Sequence, residues 1–449
     1  MTSKQYNKTG TILERPASKY ISIKEGKNKM KTLRQKIMLF ILITVTASMT
    51  LMNTGCTEKI EATDLMKGID PGKVSGLEID EDFINAAADF SFKLFRESIK
   101  EKDNSLISPL SVYIALSMTA NGADGMTLDQ METLLGGEIL IDELNRYLYT
   151  YSNELPSEER SKLTISNSIW FRDDEGRLVV EPSFLQKNAD HYDAGIYKDA
   201  FDENTLADIN AWVEENTDGL IDKILDEIRE DAVMYILNAI VFDAEWEEIY
   251  NEENIMKGEF TNYEGVLQNV DFMTSEERSY LDDGNATGFI KPYLGGSYSF
   301  VAVLPNEGIG LDEYIGSMSG NHFLDMIDNA EFSLVTGTMP KFSYDYTIQM
   351  NDALKSLGMP IAFSPSEADF SRLGESSRGN IFIGEVLHKT FIAVDERGTK
   401  AGAVTKVEMR DESYVETKVV KLDRPFMYAI IDNSTNLPVF VGTVVDIDQ

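Results

Sequence analysis

The run VMYILNAIVFDAEW, residues 233–246, constrains the fold more than any other stretch of this chain. It is too apolar to alternate between core and water, and it is rich in residues that favour extended backbone. Such a run fits a strand covered on both faces, which requires a sheet with packing layers on either side. Segments of both periods surround it. Residues 82–100, DFINAAADFSFKLFRESIK, place Phe83, Ala87, Phe90, Leu94 and Ile99 on one helical face. Ser108-Pro109 reads as a helix cap followed by proline at the first helical position, within a helix predicted over 104–122. Residues 205–228 read as an amphipathic helix, a turn at Asp218-Gly219 and a further helical turn. LTISNSIWF (163–171), SFVAVLP, FSLVTGTMPKF, MYAIID and PVFVGTVV are strand-like. No repeat or internal linker separates these elements, so residues 80–449 are expected to form one α+β domain.

A second stretch carries two conflicting signals. In ERGTKAGAVTKVEMRDES, Glu396 to Ser413, the residues Thr399, Ala401, Ala403, Thr405, Val407 and Met409 share one face of an extended chain. Lys400, Gly402, Val404, Lys406, Glu408 and Arg410 share the other. That is the pattern of a half-buried strand. Yet the first half is rich in Ala and Gly, which strands avoid, and the charged end suits an exposed loop.

The N-terminal part reads as an address. From Met30 the chain runs MKTLRQKIMLFILITVTASMTLMNTGC, with Lys31, Arg34 and Lys36 ahead of an uncharged apolar stretch from Ile37 to Met52. That stretch is short for a membrane span of about 20 residues and fits a signal peptide over 30–55. Its end, Asn53-Thr54-Gly55-Cys56, resembles the lipobox of bacterial lipoproteins, with Asn53 where Leu is usual. The resemblance implies lipidation of Cys56 and a lipid-anchored place in the bacterial cell envelope, at the outer membrane, periplasmic or surface-exposed. Residues 1–29 precede any such signal and read as an over-called start. Residues 56–79 are polar, with Gly and Pro, and read as a flexible tether.

Composition excludes several functions. The formal net charge is -35, although the first 55 residues hold ten Lys/Arg against two Asp/Glu. The remainder has 31 basic and 74 acidic residues, or -43, which argues against nucleic acid as a partner. Cys56 is the lone cysteine, so neither an intrachain disulfide nor a thiolate metal cluster is available. His191, His322 and His388 are far apart and in no metal-ligand spacing, and no metal or other cofactor is expected. The acidic run EWEEIYNEEN (245–254) lacks the spacing of a calcium loop and reads as a solvated face. No GxSxG, SxxK, GxxxxGK[ST] or strand-linked GxGxxG occurs, so enzyme activity is not expected. On its own, His388 reads as a satisfied buried histidine.

Four separated stretches resemble one family, the serpins. Ser108-Pro109-Leu110-Ser111 followed by IALSMTANGA is similar to their SPxS…GA helix, and Asn238, Phe242 and Trp246 to their central strand. LHKTFIAVDERGTKAGAVT is similar to the strand and hinge that follow, with His388, Lys389, Glu396, Gly398, Thr399 and Ala401 in register. DRPFMYAIIDNSTNLPVFVGTVVDI resembles the C-terminal strands through Pro425, Phe426 and Gly442. The resemblance implies the serpin fold: a large central mixed sheet, two smaller sheets, about eight or nine helices and an exposed reactive-centre loop. It implies a monomeric inhibitor that acts as a suicide substrate of serine proteases, with papain-like cysteine proteases as a second target class. The cleaved loop would become a strand of the sheet, which reconciles the two signals in 396–413. The hinge would comprise Glu396, Gly398, Thr399, Ala401, Ala403 and Thr405. Ser108, Ser111, Asn238 and His388 match a hydrogen-bonded shutter, and Trp246 the breach where insertion starts. The bait bond, sixteen residues beyond the hinge glutamate, would be Glu412–Ser413, with Arg410–Asp411 the next choice and Met409 a third bait residue. A non-inhibitory serpin, a binding or carrier module, is the alternative. The small residues Thr399, Ala401 and Ala403 on the hinge's inner face favour inhibition.

Overall fold

The computed structural model describes residues 60–399 and 417–447. Met234–Glu245 forms the expected strand and is buried along almost its whole length. Its alternate residues enter two different cores. Met234, Ile236, Ile240, Phe242 and Ala244 join the main core, which includes the helix Pro109–Ala120. Tyr235, Leu237 and Ala239 face a second cluster with Ile209, Trp212 and Val213 of the helix Glu203–Asn216. Two-sided burial explains why this strand shows no alternation.

The strand lies in a seven-stranded sheet. On one side it pairs antiparallel with Ser161–Arg172, followed by Gly195–Asp199 and Thr63–Asp64. On the other side come Gly398–Thr399, Glu385–Val394 and Phe342–Gln349. A larger nine-stranded mixed sheet and a two-stranded one complete three sheets, with nine α-helices, among the described residues. The helix Pro109–Ala120 is buried on all sides, as its sequence of apolar and small residues allows. It starts as expected, with Pro109 in its first turn and the Ser108 hydroxyl accepting the Ser111 N–H at 3.3 Å. Residues ahead of it, Ser105–Ile107, are a strand rather than part of that helix.

Two other expectations are corrected. After Asn216 the chain turns through Asp218 and Gly219, both at positive φ, but no further helical turn follows. The Asn210 side chain instead accepts the N–H groups of Ile224 and Leu225, and Ile221, Ile224 and Leu225 pack beneath Trp212. The polar segment 56–79 is no free tether from Ile60 onward. Asp208 accepts the N–H groups of Glu61 and Ala62 at 2.8 and 2.7 Å. Thr63–Asp64 extends the sheet edge, and Asp190 accepts the Gly72 N–H. Polar composition does not prevent such docking, because a free sheet edge offers backbone bonds to any extended segment.

Candidate functional site: an opening in the seven-stranded sheet

The site is a place where two adjacent strands part. Met234–Glu245 and Glu385–Val394 run parallel and pair over only four positions, from Tyr235↔Glu385 to Asn238↔His388. At the far end Gly398 and Thr399 lie between them, opposite Glu245 and Ala244, with Thr399 also opposite Val394. Among the described residues no strand fills the interval between. Gly398 is required at the mouth: a Cβ there would stand 2.0 Å from the Ala244 carbonyl oxygen.

The floor of the opening is a buried polar cluster. His388 Nε2 accepts the Ser108 backbone N–H at 2.9 Å, which assigns the ring proton to Nδ1. Burial pushes the His388 pKa down to about 3, so the ring stays neutral. The Asn238 amide donates to Asn167 Oδ1 at 2.8 Å and to the Ser111 carbonyl at 3.4 Å. The Ser111 hydroxyl donates to the same Asn167 oxygen at 3.1 Å. His388 Nδ1 and Asn238 Oδ1 have no hydrogen bond, yet they belong to directly opposed residues and are complementary as donor and acceptor. Ser108, Ser111, Asn238 and His388 thus lie together in one cluster. Asn167 was missed. Its signal was present: it occupies the register of Leu163, Ile165, Ile169 and Phe171, an amide among inward-facing apolar residues.

Above the opening, Trp246 and Tyr250 hold the chain that leads into it. Trp246 donates from Nε1 to the Asp395 carbonyl at 2.9 Å and from its backbone N–H to the Arg397 carbonyl at 2.8 Å. Between these, the Tyr250 N–H donates to the Glu396 carbonyl at 2.8 Å. Trp246 stacks on Tyr293, with centroids 4.5 Å apart, and the Tyr293 hydroxyl is hydrogen-bonded to Thr399 Oγ1 at 2.6 Å. The Lys341 ammonium, 2.5 Å from the Glu396 carboxylate, holds that carboxyl below its usual range. Trp246, Glu396, Gly398 and Thr399 are therefore brought together. Tyr293 and Lys341 come from distant segments, and no local pattern marks them; Tyr250 follows Trp246 by four residues, buried within the run 245–254 that reads as a solvated face. Ala401, Ala403, Thr405, Met409, Arg410, Asp411, Glu412, Ser413 and Cys56 lie outside the described residues. The arrangement offers backbone groups on two facing strands, the chemistry of strand addition.

A family model described as Serpin (serine protease inhibitor) matches residues 85–447. Serpin-ZXA of Oryza sativa subsp. japonica is 30% identical over 370 residues, covering 76% of this chain and 90% of that protein. The crystal structure of the thermophilic serpin tengpin in its native state has a TM-score of 0.83 at 55% identity, covering 86% of this chain and 99% of that one. The latent-state structure of tengpin gives 0.75 at 55% identity, covering 83% and 100%. The whole-chain likeness is thus greater to the native-state structure than to the latent one.

Proposed function

Because the chain belongs to the serpin family, we propose that it inhibits serine proteases as a suicide substrate, with papain-like cysteine proteases as a second class of target. Serpins are generally inhibitors of proteases rather than catalysts, and the mechanism proposed here is the one the opening suits. The protease nucleophile adds to the carbonyl carbon of Glu412, the bond to the Ser413 nitrogen breaks, and that amine leaves with a proton. The bait acyl group stays on the enzyme as an ester or thioester. Freed at one end, the hinge from Thr399 through Ala401, Ala403 and Thr405 then enters the interval between Met234–Glu245 and Glu385–Val394, carrying the protease with it. Insertion has to outrun hydrolysis of the acyl bond.

The observation that carries this reading is the short pairing of those two strands, with Gly398 and Thr399 already seated at the mouth. The small inner-face residues that follow support it, since neither bulk nor charge opposes their burial. We further propose that the molecule acts as a monomer, tethered to the bacterial envelope by lipid on Cys56. Mass analysis of the mature N-terminal peptide tests the anchor: an unmodified cysteine excludes it.

The inhibitory mechanism is tested by mixing the mature chain with a glutamyl endopeptidase, trypsin, elastase, subtilisin and a papain-like enzyme. An SDS-resistant complex that releases a peptide beginning at Ser413 is expected. A peptide beginning at Asp411 moves the bait to Arg410. Loop cleavage without a complex across the panel refutes inhibition and leaves the non-inhibitory binding or carrier module.

A further inference from the structure

Beneath Trp246 and Tyr250 lies a buried ion pair that the mechanism above does not use. Lys291, in the strand Ala286–Pro292, is 1% exposed, and its ammonium stands 2.8 Å from Glu277 Oε1, in the strand Leu267–Asp282. The same ammonium donates to the Glu248 carbonyl at 3.1 Å. It also sits 4.5 Å from the centroid of the Tyr250 ring and 5.5 Å from that of Trp246. Glu277 is fixed in turn by the Ser275 hydroxyl at 2.6 Å, and Ser275 reaches the Tyr250 hydroxyl at 3.3 Å. A buried pair of this kind contributes little net stability compared with apolar residues of similar volume, because both charges lose their hydration. What it does provide is a fixed geometry.

That geometry converges on the turn that starts the inserted strand. Trp246 and Tyr250 are the two residues that hold the carbonyls of Asp395, Glu396 and Arg397, and the Lys291 ammonium faces both of their rings. The held carbonyls form the turn between Glu385–Val394 and Thr399, closed by a bond from the Asp395 N–H to the Gly398 carbonyl. We propose that Lys291, held by Glu277, is a positioning residue for loop insertion: it fixes the two aromatic residues that keep this turn in the conformation of the finished hairpin. The turn is then formed before cleavage, and insertion only has to extend it. This rests on the insertion mechanism proposed above.

The test compares the mature chain with its K291M/E277L and E277Q variants, each in a Cys56→Ser, Lys406→Cys background with an environment-sensitive fluorophore on the new cysteine. Saturating glutamyl endopeptidase cuts the loop, and stopped-flow fluorescence follows insertion. Thermal unfolding is measured before and after cutting. Removing the pair is expected to leave the melting temperature of the uncut chain within a few degrees and to slow insertion about tenfold, the size of one desolvated cation–aromatic contact. E277Q keeps the shape of the site but leaves the Lys291 ammonium buried without its carboxylate; it is expected to lower the melting temperature and to slow insertion as well, and either variant alone reads the role where the other does not fold. Insertion in both variants at the parent rate overturns the positioning role and leaves the inhibitory reading intact. A parent chain that is cut but gains neither signal nor thermal stability overturns both.

Discussion

His388 shows how one residue couples folding to pH. Its ring is neutral when buried, and its pKa falls from 6.5 to about 3. Between these values the unfolded chain takes up a proton that the native chain refuses. Its contribution is fully present above about pH 6.5 and is lost as the pH falls toward 3. The loss is at most about 1.4 kcal/mol per pH unit for one proton. Urea unfolding of the native chain between pH 7 and pH 3 should show this slope, and His388→Gln should flatten it by one proton. Asn167 acts at the same scale. Its oxygen accepts from both Asn238 and Ser111, so Asn167→Ala leaves two buried donors without that partner. A loss of about 1–3 kcal/mol is expected, visible as a lower melting temperature.

At the scale of elements, Gly398–Thr399 is a strand whose neighbours are already in place. Thr399 sits between Ala244 and Val394, and under the proposed mechanism Ala401 would be the next residue of the same register to enter on insertion. Ala401→Asp would bring a carboxylate into that interface on insertion. The expected result is a chain that melts as before, is cleaved as before and forms no SDS-resistant complex, because desolvation of the charge opposes burial. The elements also differ in how far the sequence reveals them. Met234–Glu245 was legible because apolar residues occupy both registers, and Pro109–Ala120 because Ser108-Pro109 marks its start. Residues 60–79 were not, since the bonds from Glu61, Ala62 and Gly72 are made by backbone N–H groups that every sequence except proline carries.

Over the whole molecule, the same contrast separates the two ends of the opening. The floor was named through the family resemblance for Ser108, Ser111, Asn238 and His388, while Asn167, which the resemblance did not supply, was missed. The platform above it was only partly so: Trp246 and the hinge residues Glu396, Gly398 and Thr399 were named in the same way, but Lys291, Glu277 and Lys341 gain their meaning only when strands far apart in the chain are brought together, and on their own they look like ordinary surface residues. A global consequence is testable without any target enzyme. If cleavage of 400–416 lets the hinge complete the sheet, the cut chain should melt well above the intact one, by tens of degrees rather than a few, since a whole strand's ladder and side-chain burial are added. Calorimetry of intact and nicked samples reads this directly, and equal melting temperatures would contradict it.

The interval between Met234–Glu245 and Glu385–Val394 has room for a single strand, and Gly398 already fills its mouth. Under the proposed mechanism each molecule can therefore fire once, and nothing in the fold restores it afterwards. Protection would then be a titration. Its capacity would be set by how many copies a cell displays and how quickly it replaces them, and a surge of protease would be met in proportion until the supply is exhausted.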